Sequence, residues 1–208
     1  MNAYINSSCD SRVQEVSKLT KEILGENILE IKVEEIKFSE NFETTLAKFE
    51  AKALELCNKK IKKRTVIGQG VGFIDACFDS LIKAYEENYN SLDSISIANF
   101  VINAHLEAGN KRKSDAHVTV LLRIKNANDF EYTFTCTSLS VSKSCVFVIQ
   151  HCIAFFINAE EAFKKLHFAL KDAQERSRSD LIERYKNQMS TLVHATSYEN
   201  LVLKLKGE

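Results

Sequence analysis

Between residues 28 and 157 the spacing of apolar residues changes in the same order twice. Leu29, Ile31 and Val33 alternate with Glu30 and Lys32, a period of two that predicts a half-buried strand. Glu34 and Glu35 interrupt the alternation and Ile36 and Phe38 resume it, so a bulge would re-phase the two halves. Residues 46–56 fit both periods. Leu46, Phe49, Ala53 and Leu56 lie at helical spacing among good helix formers, and propensity alone favours a helix. Yet Phe49, Ala51 and Ala53 also alternate with Lys48, Glu50 and Lys52, as in a strand. Residues 58–63 read as a basic turn and 64–67 as a short strand. Gly70 and Gly72 then mark a tight turn, after which Ile74, Phe78, Leu81 and Tyr85 fall at helical spacing.

The second pass begins at Leu92. Residues 94–104 are strand-like, and 109–114 form a basic loop. Val118, Val120, Leu122 and Ile124 alternate cleanly, residues 126–129 have hairpin-turn composition, and Tyr132, Phe134 and Cys136 alternate again. A serine-rich turn spans 138–144. Residues 145–157 are apolar apart from Gln150 and His151, which fits a buried strand or a buried helix. Self-similarity at roughly 65 to 70 residues accounts for this order and predicts an α+β fold of two βββα units. By that repeat, residues 46–56 become a strand, the counterpart of the one at Val118. Val13, Val16, Leu19 and Ile23 predict an amphipathic helix stopped by Gly25. Ala162, Leu166, Ala169 and Ala173, then Leu181, Tyr185, Met189 and Leu192, predict helices at the other end. The expected organisation is an N-terminal helical extension (1–27), the double βββα domain (28–160) and a C-terminal helical extension (161–208).

Composition limits what such a chain does. With 208 residues and 45% hydrophobic content it buries a sizeable core. The formal net charge is +0, without the basic excess of a nucleic-acid binder. No apolar run of transmembrane length and no signal-peptide core stand out, so a cytoplasmic protein without a membrane partner is expected. The six cysteines, Cys9, Cys57, Cys77, Cys136, Cys145 and Cys152, form no Cys-x-x-Cys pair and are expected as buried free thiols. His105, His117, His151, His167 and His194 form no close pair, so neither a metal nor a cofactor is expected. Cys77 and Cys145 lie at helix starts, where a thiol pKa can fall, but burial is the competing fate. No nucleophile–base pair assembles, and catalysis by this chain alone is not expected.

The segment Gly70-x-Gly72-x-Ile74-Asp75-Ala76, set between a third strand and a helix, resembles the glycine signature of a known family. That family is the regulatory (LeuA allosteric, or dimerisation) domain of α-isopropylmalate synthase and citramalate synthase. The resemblance covers roughly residues 28–160 and extends to Ser114-Asp115-Ala116, similar to the family's entry into its fifth strand. It implies two βββα units and a pocket for a feedback amino acid, leucine or isoleucine. The second glycine pair of the family is replaced here by Ser140 and Ser142, with Val146 near the aspartate position. The catalytic barrel of these acyl-CoA-condensing transferases, about 250 residues, does not fit in this chain, and its His-x-His is missing.

The resemblance therefore implies a stand-alone regulatory domain of leucine-type biosynthesis. Gly70 and Gly72 would let backbone approach a ligand, and helix N–H groups would take its carboxylate. Asp75 and Asp115 would pair with an ammonium group; their competing roles are a helix cap and a surface turn. Ile74 and Ala116 complete the matched positions, and Ser140 and Ser142 would bond the ligand or cap the second helix. The apolar run 145–157 is either core or interface, and a homodimer is the expected assembly. The alternative is a non-catalytic subunit that docks on a separate synthase and has lost ligand binding.

Overall fold

A computed structural model describes residues 10–105 and 117–196. Helix α1 (Ser11–Leu24) is followed by strands β1 (Glu30–Glu40), β2 (Leu46–Cys57) and β3 (Lys60–Val71) and helix α2 (Gly72–Tyr85). Strands β4 (Ser96–His105), β5 (His117–Lys125) and β6 (Glu131–Ser138) lead into helix α3 (Val141–Glu175), and α4 (Ser179–Val193) follows. The strands form two antiparallel sheets, ordered β1-β2-β3 and β4-β5-β6. The fold is α+β, built from two βββα units.

The segment for which propensity favours a helix is β2, the central strand of the first sheet. Partners on both edges outweigh local helix preference here. Ala47, Phe49, Ala51 and Ala53 are buried, while outward-facing Glu50 and Lys52 meet Lys37 and Glu35 of β1 at 3.2 and 2.6 Å. The expected six-residue basic turn shrinks to Asn58 and Lys59, whose φ values of 49° and 60° are those of a type I′ hairpin. Lys60 pairs with Cys57, so β3 starts earlier than composition predicts. The expected bulge is present: Val33 pairs with Ala53 and Glu35 with Lys52, leaving Glu34 as the extra residue. Strand β4 carries the same device at Ala98, between Ile97 and Asn99. Gly25 stops α1 with φ 60°, its N–H donating to Lys21 O.

Each unit's helix covers one face of its sheet. Arg64 on β3 pins the end of α2: its guanidinium pairs with Glu55, donates to Ala84 O at 3.0 Å and lies 4.8 Å from the Tyr85 ring centre. In the second unit, Tyr132 and Phe134 of β6 meet Phe155 and Phe156 of α3, with centroids 5.4 to 5.6 Å apart for the closest pairs. The run 145–157 is buried in the N-terminal half of α3, not a strand. The boundary expected at residue 160 falls inside this continuous helix, and the C-terminal extension is the outer part of α3 plus α4. Among the described residues α3 is the one helix long and apolar enough to cross a membrane, although no run of that length stood out in the sequence; 67% of that stretch is buried in the protein.

Three polar side chains in and just beyond the apolar run have defined roles. Gln150 Oε1 accepts the N–H of Val33, beside the β1 bulge, at 2.9 Å. Asn158 accepts the N–H of Leu29 at 2.8 Å and donates to its carbonyl at 2.9 Å. Glu160, fully buried, accepts the N–H of Ser91 at 2.8 Å and has Lys164 Nζ 2.8 Å from its other oxygen. These three side chains fasten the second unit to the first. Asn158→Ala leaves both backbone groups of Leu29 unpaired and should cost about 1–3 kcal/mol in urea unfolding. An unchanged midpoint would show that the tie is dispensable.

His151 is half-buried on α3, its ring 5.9 Å from that of Phe134, and burial holds its pKa below the ordinary histidine value. The unfolded chain takes up this proton near pH 6.5. Below that pH the unfolded state binds more protons, so stability falls on acidification until the lowered folded-state value is passed. His151→Gln should therefore lose less stability than wild type between about pH 6.5 and pH 5. Equal losses would place the acid sensitivity at other groups.

Candidate functional site

The glycine turn between β3 and α2 is closed on itself. Gly68 and Gly70 lie on the sheet face that receives α2. A Cβ on Gly70 would stand 2.5 Å from both Ala76 N and Asp75 Oδ2, and one on Gly68 would collide with Ser80. Gly72 has φ 76°, a conformation that L side chains rarely adopt. Asp75 reaches back to accept the N–H of Val71 at 2.8 Å, the capping role. Ile74 packs against the core. The close approach that Gly70 permits is therefore to its own helix, and Asp75 already has a partner. Gly68, which the motif does not include, is as constrained as Gly70.

At the second junction hydroxyls do what the glycines do at the first. Ser140 is the N-cap of α3, its Oγ accepting from Lys143 N at 3.3 Å. Ser142 lies inside the first turn, with its Oγ 3.2 Å from that of Ser140. Ser144, fully buried, shares a hydrogen bond with Ser138 at 2.7 Å and donates to Val118 O at 3.2 Å. Asp115 and Ala116 lie outside the described residues.

Next to this junction is a cavity of about 460 Å³, between the bulge of β1 and the start of α3. Its walls thus come from different units. Ser142 is the one sequence-predicted site residue that lines it. Val33 and Ile36 from β1 and Val146 and Phe147 from α3 give it an apolar side. Lys143 stands at the positive end of α3, its Nζ 5.5 Å from the Phe147 ring centre. Across the cavity are Glu34, the bulged residue, and Glu35. Lys52 bonds Glu35 and holds its carboxyl below the usual carboxylate range. Glu34 and Lys143 have no ion-pair partner among the described residues. The arrangement therefore offers a cation, an anion and an apolar wall, the elements for holding a small zwitterion. Besides Ser142, the sequence marked this place only by the broken alternation at Glu34 and Glu35, which reads as a bulge.

The thiols are not poised for chemistry. Burial raises the pKa of Cys77, Cys136 and Cys152 and pushes Cys145 up to about 11. Cys145, from the second unit, raises Cys77 further. Their helix-start positions do not offset burial. Among the described residues no three His, Cys, Asp or Glu side chains converge as a metal site. Scans of the chain against protein-family models and against curated proteins find no match.

Gly70→Ala should destabilise the protein by about 1–3 kcal/mol, since the new Cβ meets helix backbone, while Asp75→Ala should cost about 1 kcal/mol as a lost cap. Both are read by chemical denaturation. A Gly70→Ala protein of wild-type stability would contradict this internal role.

Proposed function

We propose that this chain is a regulatory-type binding module, similar to the LeuA allosteric domain, that takes a branched-chain amino acid in the cavity between β1 and α3. What supports this reading is the pairing of a double βββα fold with a cavity at the start of the second helix. The α-carboxylate would face Lys143 and the N-terminal end of α3, and the ammonium group would face Glu34. The aliphatic side chain would lie against Val33, Ile36, Val146 and Phe147. Such a ligand touches both units at once, so its binding would bias how they sit together, the physical requirement for feedback control. Catalysis would belong to another chain, and a second copy of this one is the partner that goes with the reading. A cytoplasmic location also goes with it.

The observation that carries the proposal is the opposite charges of Lys143 and Glu34 across an apolar wall. Leucine, isoleucine and valine should be screened by thermal unfolding. A ligand at about a hundredfold over its dissociation constant adds roughly 2.7 kcal/mol, which raises the midpoint of a chain this size by about 5 °C or more. Lys143→Glu and Glu34→Lys should each abolish the shift while leaving the midpoint without ligand near wild type, because both residues are exposed. No shift with any of the three amino acids would refute branched-chain amino-acid sensing. It would favour the alternative, a docking subunit without a ligand.

A further inference from the structure

The helical extensions at the two ends build a second cavity, which shares no lining residue with the first. It has a volume of about 360 Å³ and lies between α1, the β5–β6 hairpin and α4. Its geometry is fixed by hydrogen bonds converging on one carbonyl. Tyr132 Oη and Asn126 Nδ2 both donate to His194 O, at 2.5 and 2.6 Å. This ties the end of α4 to the hairpin. The His194 ring lies 4.5 Å from the ring of Phe130, and the Arg12 guanidinium 5.7 Å from it.

The floor is apolar and largely aromatic. Val16 and Tyr132 are buried, at 4% and 1% exposure, and Phe130 is half-buried beside them. Burial raises the pKa of the Tyr132 phenol, with Arg12 opposing and Asp10 adding to the shift. Asp10 is engaged as the cap of α1, accepting from Arg12 N at 3.1 Å. Two further charges line the cavity on the exposed side of α1, Arg12 and Glu15. They are three residues apart on one helix face, yet neither has an ion-pair partner among the described residues. Across from them α4 contributes the hydroxyl residues Ser190 and Thr191.

We infer that this cavity is a second binding site, for a free α-amino acid with an aromatic side chain. The Arg12 guanidinium takes the carboxylate in a charge-assisted pair, the Glu15 carboxylate takes the ammonium group, and the ring lies against Phe130 and Tyr132. An anion without an ammonium group would meet Glu15 unfavourably. A branched aliphatic chain would fill the aromatic floor less well. The site is independent of the cavity at β1, and its ligand class differs from the branched-chain one.

The experiment is isothermal titration of the full chain with phenylalanine, tyrosine and tryptophan. Phenylacetate and phenethylamine, each lacking one charge, serve as controls. At least one of the amino acids should bind saturably, and each control at least tenfold more weakly. Arg12→Gln and Glu15→Gln should each weaken the amino acid by tenfold or more. Both residues are exposed, and circular dichroism checks that the variants remain folded. Lys143→Glu, in the other cavity, should leave this binding unchanged. The inference is overturned if no aromatic amino acid binds at millimolar concentration. It is equally overturned if binding persists in Arg12→Gln and Glu15→Gln. Loss of binding only in Lys143→Glu would assign the aromatic ligand to the β1 cavity and likewise reject a second site.

Discussion

The architecture depends on three polar side chains inside one apolar helix. Gln150, Asn158 and Glu160 on α3 hydrogen-bond backbone groups of β1 and of the segment leading into β4. Burying an amide or a carboxylate is favourable only where its bonds are made, and only one placement of α3 against β1 makes them all. Apolar packing alone would tolerate sliding by a turn. These bonds do not, because a slip would strand both the side chains and the backbone groups of Leu29, Val33 and Ser91. The same helix covers the second sheet and receives α1 and α4. Fixing α3 thus fixes both units and both extensions, and the two cavities follow from where it lies.

The two units reach the same shape through different chemistry. Each first strand has a bulge, at Glu34 in one and Ala98 in the other. Each third strand turns directly into a helix. In the first unit the turn is made by glycines, whose missing Cβ atoms admit the helix; in the second a serine network caps the helix and bonds the neighbouring strand. Cys77 and Cys145 sit near the two helix starts, close enough to raise the Cys77 pKa. A glycine motif read as a ligand signature is accounted for at its own position by internal packing. The cavity that suits a zwitterion lies at the serine junction, where the motif is degraded. There the second unit's helix meets the bulge of the first, so side chains from both sides converge on one space.

Much of this was legible in the chain itself. Alternation placed β1, β5 and β6, the broken alternation placed the bulge, and Gly25 placed the end of α1, because each of these depends on neighbours in sequence. The repeat corrected the preference of residues 46–56 for helix. The candidate site was far less legible: of its lining residues only Ser142 was expected. Lys143 and Glu34 read as ordinary surface charges, since nothing local marks that they border the same cavity.

The sequence by itself determined the period of each segment, the double βββα order and the stops between elements, because these follow from local sterics and from which side chains must leave water. The tertiary structure alone decided that residues 145–175 form one helix, that Gln150 and Asn158 hold β1, and that charges from separate elements border common cavities. The contacts that decide these points join residues 117 and 129 positions apart, and no periodic pattern encodes a pairing at that range.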